Sequence, residues 1–186
     1  EGTDQDDSLA IKWYEKSAEL DNKYAMHQLG IMYKNGNGVD QDESLAFKWF
    51  KKSAELGDDD AMVNLGYTYK YGEGTDKDYS LAFKWFKKSA ELGNSDAMVS
   101  MGIMHKDGEG TDQDDSLAFK WFEKSAELDN KYAMNFLGYL YKNGEGTDKD
   151  YSLAFEWYEK SAELGYYEAM FSLGIMYKNG EGTDQD

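Results

Sequence analysis

The chain has 186 residues, 40% of them hydrophobic, and sets 37 acidic residues against 20 basic ones, every one of them Lys, for a net charge of −17. Such a field repels nucleic acid and anionic lipid, and without Arg there is no guanidinium fork to grip phosphates or guanine edges. With no Cys there is no disulfide framework, thiolate nucleophile or Cys-based zinc site, and no apolar run approaches the roughly 18 residues of a membrane span.

A period of 36 residues organises everything else. Trp13, Trp49, Trp85, Trp121 and Trp157 keep this step, as do Gly30, Gly66, Gly102, Gly138 and Gly174. The loop pairs Gly36/Gly38, Gly72/Gly74, Gly108/Gly110, Gly144/Gly146 and Gly180/Gly182 follow it too. The units run approximately 1–36, 37–72, 73–108, 109–144 and 145–180, in one array spanning 1–186 whose residues 181–186 begin a sixth loop. Both ends read EGTDQD and so stand at the same phase. No positively charged start followed by an apolar stretch is present, the pattern a signal peptide would show.

In chain order, the first unit opens with SLAIKWYEKSAEL, and the second shows the logic of all five. Asp42 is a suitable N-cap, its carboxylate placed to accept from the free amides of the first turn. SLAFKWFKKSAEL then sets Leu45, Ala46, Trp49, Phe50, Ser53, Ala54 and Leu56 at helical spacing, and Gly57 stops the helix as a left-handed C′ residue. A short acidic turn leads to AMVNLGYTYKYG, with Ala61, Met62, Leu65, Gly66 and Tyr69 on one side. Gly72 ends that helix, and the loop GEGTDKD leads on. With Pro absent, the turns fall to Gly, Asn and Asp. Repeating this through the last unit, with its AMFSLGIMYKNG, predicts ten helices of about three turns each.

A single hairpin of this kind cannot cover its aromatic face, so neighbouring units must stack, which predicts an all-α solenoid. The bulky Trp and Phe are expected to sit opposite small residues such as Ala46, Ala54 and Gly66. Each Trp is expected to be buried between its own hairpin and the next unit. Ser8, Leu9, Ala10, Trp13, Lys16, Ala18, Leu20, Ala25, Met26 and Gly30 recur identically in all five units, and most are assigned to packing, with Lys16 solvated or packed along its stem.

The string Ala61, Leu65, Gly66, Tyr69, Gly72, Gly74, then Asp78, Ala82, Trp85, Phe86, Lys88, Ser89, Ala90, Glu91 and Gly93 resembles the Sel-one-like repeats, relatives of the tetratricopeptide repeat. The resemblance covers essentially the whole chain. It implies a right-handed α/α superhelical solenoid of five helix-turn-helix repeats with a concave groove. It also implies adaptor or scaffold roles, with a bacterial envelope or extracellular setting favoured. The loop here is mostly G-T-D where this family often has G-V-P, and the cysteines of its disulfide-bearing, penicillin-linked members are missing, so that activity does not carry over.

The repeats differ along one helical face. Its columns are Tyr24, Asp60, Asp96, Tyr132, Glu168; His27, Val63, Val99, Asn135, Phe171; Gln28, Asn64, Ser100, Phe136, Ser172; Ile31, Tyr67, Ile103, Tyr139, Ile175; and Asn35, Tyr71, Asp107, Asn143, Asn179. These positions lie three, four or seven residues apart. By resemblance to tetratricopeptide proteins, this face lines the concave groove. Free drift of surface positions is one reading, and packing of Ile31 and its equivalents against the neighbouring repeat is another. The stripe is too aromatic and aliphatic for a plain solvated face, which favours a partner-binding groove.

Chemistry is sparse. His27 and His105 occupy different repeat positions, no H-E-x-x-H or S-x-x-K occurs, and no Gly-Lys-Ser/Thr follows the G-x-G loops. No catalytic residue and no cofactor is expected. The acidic loops place Asp40 with Asp42, Asp76 with Asp78, Asp112 with Asp114, and Asp148 with Asp150, a candidate calcium arrangement that N-capping explains more economically. The reading is a non-enzymatic scaffold that binds a protein or peptide, with no nucleic acid and no membrane insertion. A structural array associating head to tail with itself is the alternative, and an enzyme or antibiotic-binding protein a distant second alternative.

Overall fold

The structure, a computed structural model, describes residues 6–182, so the EGTDQD segments at the two ends lie mostly outside the described residues. The described residues form ten α-helices and no strand. The Trp-bearing helices are α1 (Asp7–Ala18), α3 (Glu43–Glu55), α5 (Tyr79–Glu91), α7 (Asp115–Ala126) and α9 (Tyr151–Glu163). The Gly-bearing helices are α2 (Lys23–Asn35), α4 (Asp59–Tyr71), α6 (Ser95–Asp107), α8 (Lys131–Asn143) and α10 (Tyr167–Asn179). By their internal contacts they divide into two units, Glu1–Leu92 and Gly93–Asp186.

The caps follow the residues. Asp6, Asp42, Asp78, Asp114 and Asp150 each accept from the amide three residues on, which satisfies one of the free donors of the first turn. Asn22, Asp58, Asn94 and Asn130 do the same for the Gly-bearing helices, whereas α10 starts at Tyr166 with no side-chain cap. Gly72, at φ 77°, closes α4 in the left-handed conformation a side chain tolerates poorly.

Within each unit a Gly-bearing helix packs most extensively on the Trp-bearing helix that follows it. At Gly66 the missing side chain makes room for a ring: a Cβ there would lie 2.5 Å from Phe86. The same seat pairs Gly30 with Phe50, Gly102 with Phe122 and Gly138 with Tyr158. A hydroxyl fixes each seat: Ser53 Oγ donates to the Lys23 carbonyl at 2.7 Å, and Ser89, Ser125 and Ser161 donate to the carbonyls of Asp59, Ser95 and Lys131 at 2.8 Å.

This corrects the expectation for the tryptophans. Phe50, Phe86 and Phe122 are the fully buried rings, with Tyr158 nearly so. Trp49, Trp85, Trp121 and Trp157 are only half-buried, and Trp13 is 66% exposed. The Trp rings lie one helical position round from the seat, where Lys16, Lys52, Lys88, Lys124 and Lys160 place their ammonium groups 4.3–4.7 Å from the indole centroids. The recurrent Lys is thus a cation–π partner three residues along its helix. The recurrent Leu is not a packing residue either: Leu20 is 85% exposed, and Leu56, Leu92, Leu128 and Leu164 are exposed with it.

Candidate partner-binding groove

In the second unit the three Gly-bearing helices and α9 border an open cavity of about 440 Å³. Ile103, Lys106 and Asp107 come from α6; Asn135, Phe136 and Tyr139 from α8; Tyr158 from α9; Glu168, Phe171 and Ser172 from α10. Six of these, Ile103, Asn135, Phe136, Tyr139, Phe171 and Ser172, belong to the stripe singled out from the sequence. Asp107 and Glu168 stand in its variable columns. Lys106 and Tyr158 were missed. The Lys106 column is Lys in all five units and so shows no variation, and Tyr158 stands where three other units have the Phe of the ring seat, a substitution visible in the sequence but outside the variable stripe.

The floor is polar and the walls are aromatic. Phe136 stacks on the buried Phe122 with centroids 4.6 Å apart and planes 13° from parallel, which holds the wall rigid. Tyr139 donates its hydroxyl to Glu145 at 3.0 Å, and that bond, with burial, raises its pKa. Lys106 pairs with the same carboxylate at 3.1 Å, and the pairing raises its pKa as well. Burial pushes the Tyr158 hydroxyl up to about 12 despite Ser172 beside it, so the floor stays a neutral donor. Ser172 turns its own hydroxyl back to the Glu168 carbonyl at 2.9 Å. Phe171 is 72% exposed at the rim.

The equivalent stripe in the first unit closes on itself. Asn64 places its amide nitrogen 2.8 Å from His27 Nε2 and 3.1 Å from the Asp60 carbonyl. His27 Nδ1 lies 3.9 Å from Asp58, too far for a hydrogen bond. Tyr67 stacks on Tyr71 at 6.1 Å and meets the buried Phe86 edge-on at 5.0 Å. Tyr24, Gln28 and Asn35 are exposed and Ile31 is half-buried, with Lys23 over the Tyr24 ring.

The remaining stripe residues are placed as follows. Val63, Val99 and Ser100 are buried, Val99 in the core of the second unit, so they offer no surface. Tyr132 is exposed and meets Tyr166 edge-on, away from the cavity, and Ile175 is half-buried on α10. Of the acidic loops, Asp42, Asp78, Asp114 and Asp150 each commit an oxygen to capping, at 2.9 Å, while Asp40, Asp76, Asp112 and Asp148 are exposed. Among the described residues no three acidic or His side chains converge as a metal site.

A stack of helical hairpins carrying a side-chain-lined groove defines a helical-repeat protein. The Sel1 repeat matches residues 1–22, 23–58, 59–94, 95–130, 131–166 and 168–186, and the chain belongs to the Sel1 repeat family. The family's register pairs a Gly-bearing helix with the Trp-bearing helix after it, the pair joined by the ring seat. A protective antigen of uropathogenic Escherichia coli displaying an SLR fold is 36% identical with a TM-score of 0.92. That match covers 100% of this chain, which spans only 40% of the antigen's length. A Sel1 repeat protein of Oxalobacter formigenes is also 36% identical, with a TM-score of 0.91 over 96% of this chain and 73% of its own. The cysteine-rich protein B of Helicobacter pylori is 26% identical, with a TM-score of 0.57 over 73% of this chain and 98% of its own. No curated protein matches the sequence. The fold is therefore the all-α solenoid of the Sel1 repeat, a family of generally non-catalytic scaffolds that typically mediate protein interactions. No helix among the described residues is long and apolar enough to cross a membrane.

Proposed function

We propose that the chain is a non-enzymatic scaffold that binds a peptide or protein segment, and that the groove of its second unit is the contact surface. The cavity of about 440 Å³ with three aromatic walls carries this reading. Its volume and its few convergent polar groups suit the capture of one or two side chains from an extended or helical segment. A random-peptide display library panned against the chain tests it. Enriched peptides are expected to be retained by the parent chain and lost from Tyr139→Ala/Phe171→Ala, whose circular dichroism should be unchanged because both side chains are exposed. Equal retention by the double variant would place the contact elsewhere.

A further inference from the structure

Three charged side chains line the groove of the second unit: Lys106, Asp107 and Glu168. The one cation is already committed, since Lys106 Nζ sits 3.1 Å from Glu145 and that bond is the main cause of its raised pKa. Asp107 and Glu168 therefore leave the lining net negative. Asp107 is the only acid in a column otherwise made of Asn and Tyr.

Glu168 adds a second kind of observation. The Tyr166 and Tyr167 hydroxyls engage its carboxylate, whereas its Oε2, shielded from solvent, makes no hydrogen bond of its own among the described residues. Most of the cost of removing that oxygen from water has thus been met in the free protein, and a donor arriving from a ligand recovers it. The walls suit the same visitor. Phe136, Tyr139 and Phe171 offer apolar surface for a ring or a methylene stem; Lys106 already stands over the Tyr139 ring at 5.3 Å, so the exposed Phe171 ring is the face that favours an arriving cation. The net charge of −17 concentrates cationic segments around the chain and turns away acidic ones.

We propose that this groove selects a peptide segment in which an aromatic or long apolar side chain stands next to Lys or Arg. The apolar group fills the cavity, and the cation is received by Glu168 and Asp107. This deepens the groove reading above and rests on it.

The test is fluorescence anisotropy of the full chain with three dye-labelled synthetic peptides that share a central Trp-Leu and differ only in flanking Lys, Ser or Glu. The Lys-flanked peptide is expected to bind most tightly, with the gap to the Glu-flanked one narrowing as salt rises. Glu168→Gln should weaken the Lys-flanked peptide about tenfold, as for a lost hydrogen bond to a charged group. Asp107→Asn should cost roughly two- to fivefold, as for an exposed pair. Both variants should weaken the Lys-flanked peptide several-fold more than the Ser-flanked one. Asp40→Asn removes the same charge from an exposed loop and should move neither. If Asp40→Asn weakens binding as much as Glu168→Gln, the attraction is diffuse and the proposal is overturned. Should all three peptides bind alike while Phe171→Ala abolishes each, the groove reading stands and the cation selectivity falls. No binding by any peptide, or full binding to Phe171→Ala, removes both.

Discussion

In the first unit, His27 and Asn64 from successive Gly-bearing helices use their polar atoms on each other, and Tyr67 lies against Tyr71 and Phe86. In the second unit, the same two columns meet as Asn135 and Ser172, and both line an open cavity. Ser172 is too short to bridge, and its hydroxyl returns to its own helix at the Glu168 carbonyl. The helices of the two units are alike, but the faces differ at a pair 37 residues apart in sequence, His27 with Asn64 against Asn135 with Ser172, and at the ring seat, where Tyr158 beneath the cavity stands in place of Phe86. The repeat scaffold and the recognition surface are therefore independent variables, which is how one hairpin motif can carry different surfaces.

The largest expected effect concerns what the units share. Phe86→Ala in the first and Phe122→Ala in the second should each cost about 3–5 kcal/mol, while Trp85→Ala and Trp121→Ala, half-buried beside their Lys partners, should cost well under half of that. Urea melts of the four variants make the comparison; a Trp loss as large as its neighbouring Phe loss would contradict the ring-seat account.

Next come the seats themselves. Gly66→Ala and Gly102→Ala push a methyl to 2.5–2.6 Å from Phe86 and Phe122 and should cost roughly 1–3 kcal/mol by overpacking. Gly174→Ala meets open space and should gain up to about 1 kcal/mol from helix propensity. Thermal melts showing three equal losses would mean the glycines are kept for another reason.

A reciprocal exchange addresses the difference between the units. Asn135→His/Ser172→Asn writes the first unit's bridge into the second, and is expected to weaken peptide binding at least about tenfold, the loss of one good buried contact, with little change in melting. His27→Asn/Asn64→Ser should leave peptide binding in the second unit intact. Calorimetric titration of both variants would break the comparison if the first exchange had no effect.

The smallest effect is a pH dependence in the second unit. Burial of His105 disfavours its imidazolium and lowers its pKa below the ordinary 6.5, with Asp114 and the backbone bond to Asp112 opposing. A depressed folded value means the unfolded chain takes up the proton first. The contribution is thus fully present above pH 6.5 and is lost as pH falls from there through the folded value. Urea midpoints of the chain and of His105→Gln, followed across and below that point, should diverge above it and converge below; parallel curves would contradict this.

Much of the scaffold was legible because each of its signals is local. Asp42 caps because an Asp three residues before an amide can reach it, and Gly72 ends a helix because only its own φ is at issue. The choice between Trp85 and Phe86 was not legible. They are adjacent on one helix, both border the apolar face, and the decision is made by Gly66, which belongs to the preceding helix. Identity across units misled at Leu20, since near-identical units share exposed residues as readily as buried ones. For the groove, the stripe was visible by its variation, and six of the cavity's lining residues were named from it. That these residues meet around a cavity in the second unit, with Tyr158 beneath them, is a tertiary fact with no periodic signature.

The central claim is that the second unit's Gly-bearing helices form the contact surface, and backbone amide shifts of the isotope-labelled chain titrated with the tightest display-selected peptide test it directly. The account predicts that the largest perturbations fall at Ile103, Asn135, Tyr139 and Phe171, with His27, Asn64 and Tyr67 quiet. Largest perturbations at His27, Asn64 and Tyr67, or along the tryptophans and exposed leucines of the other helices, would contradict it.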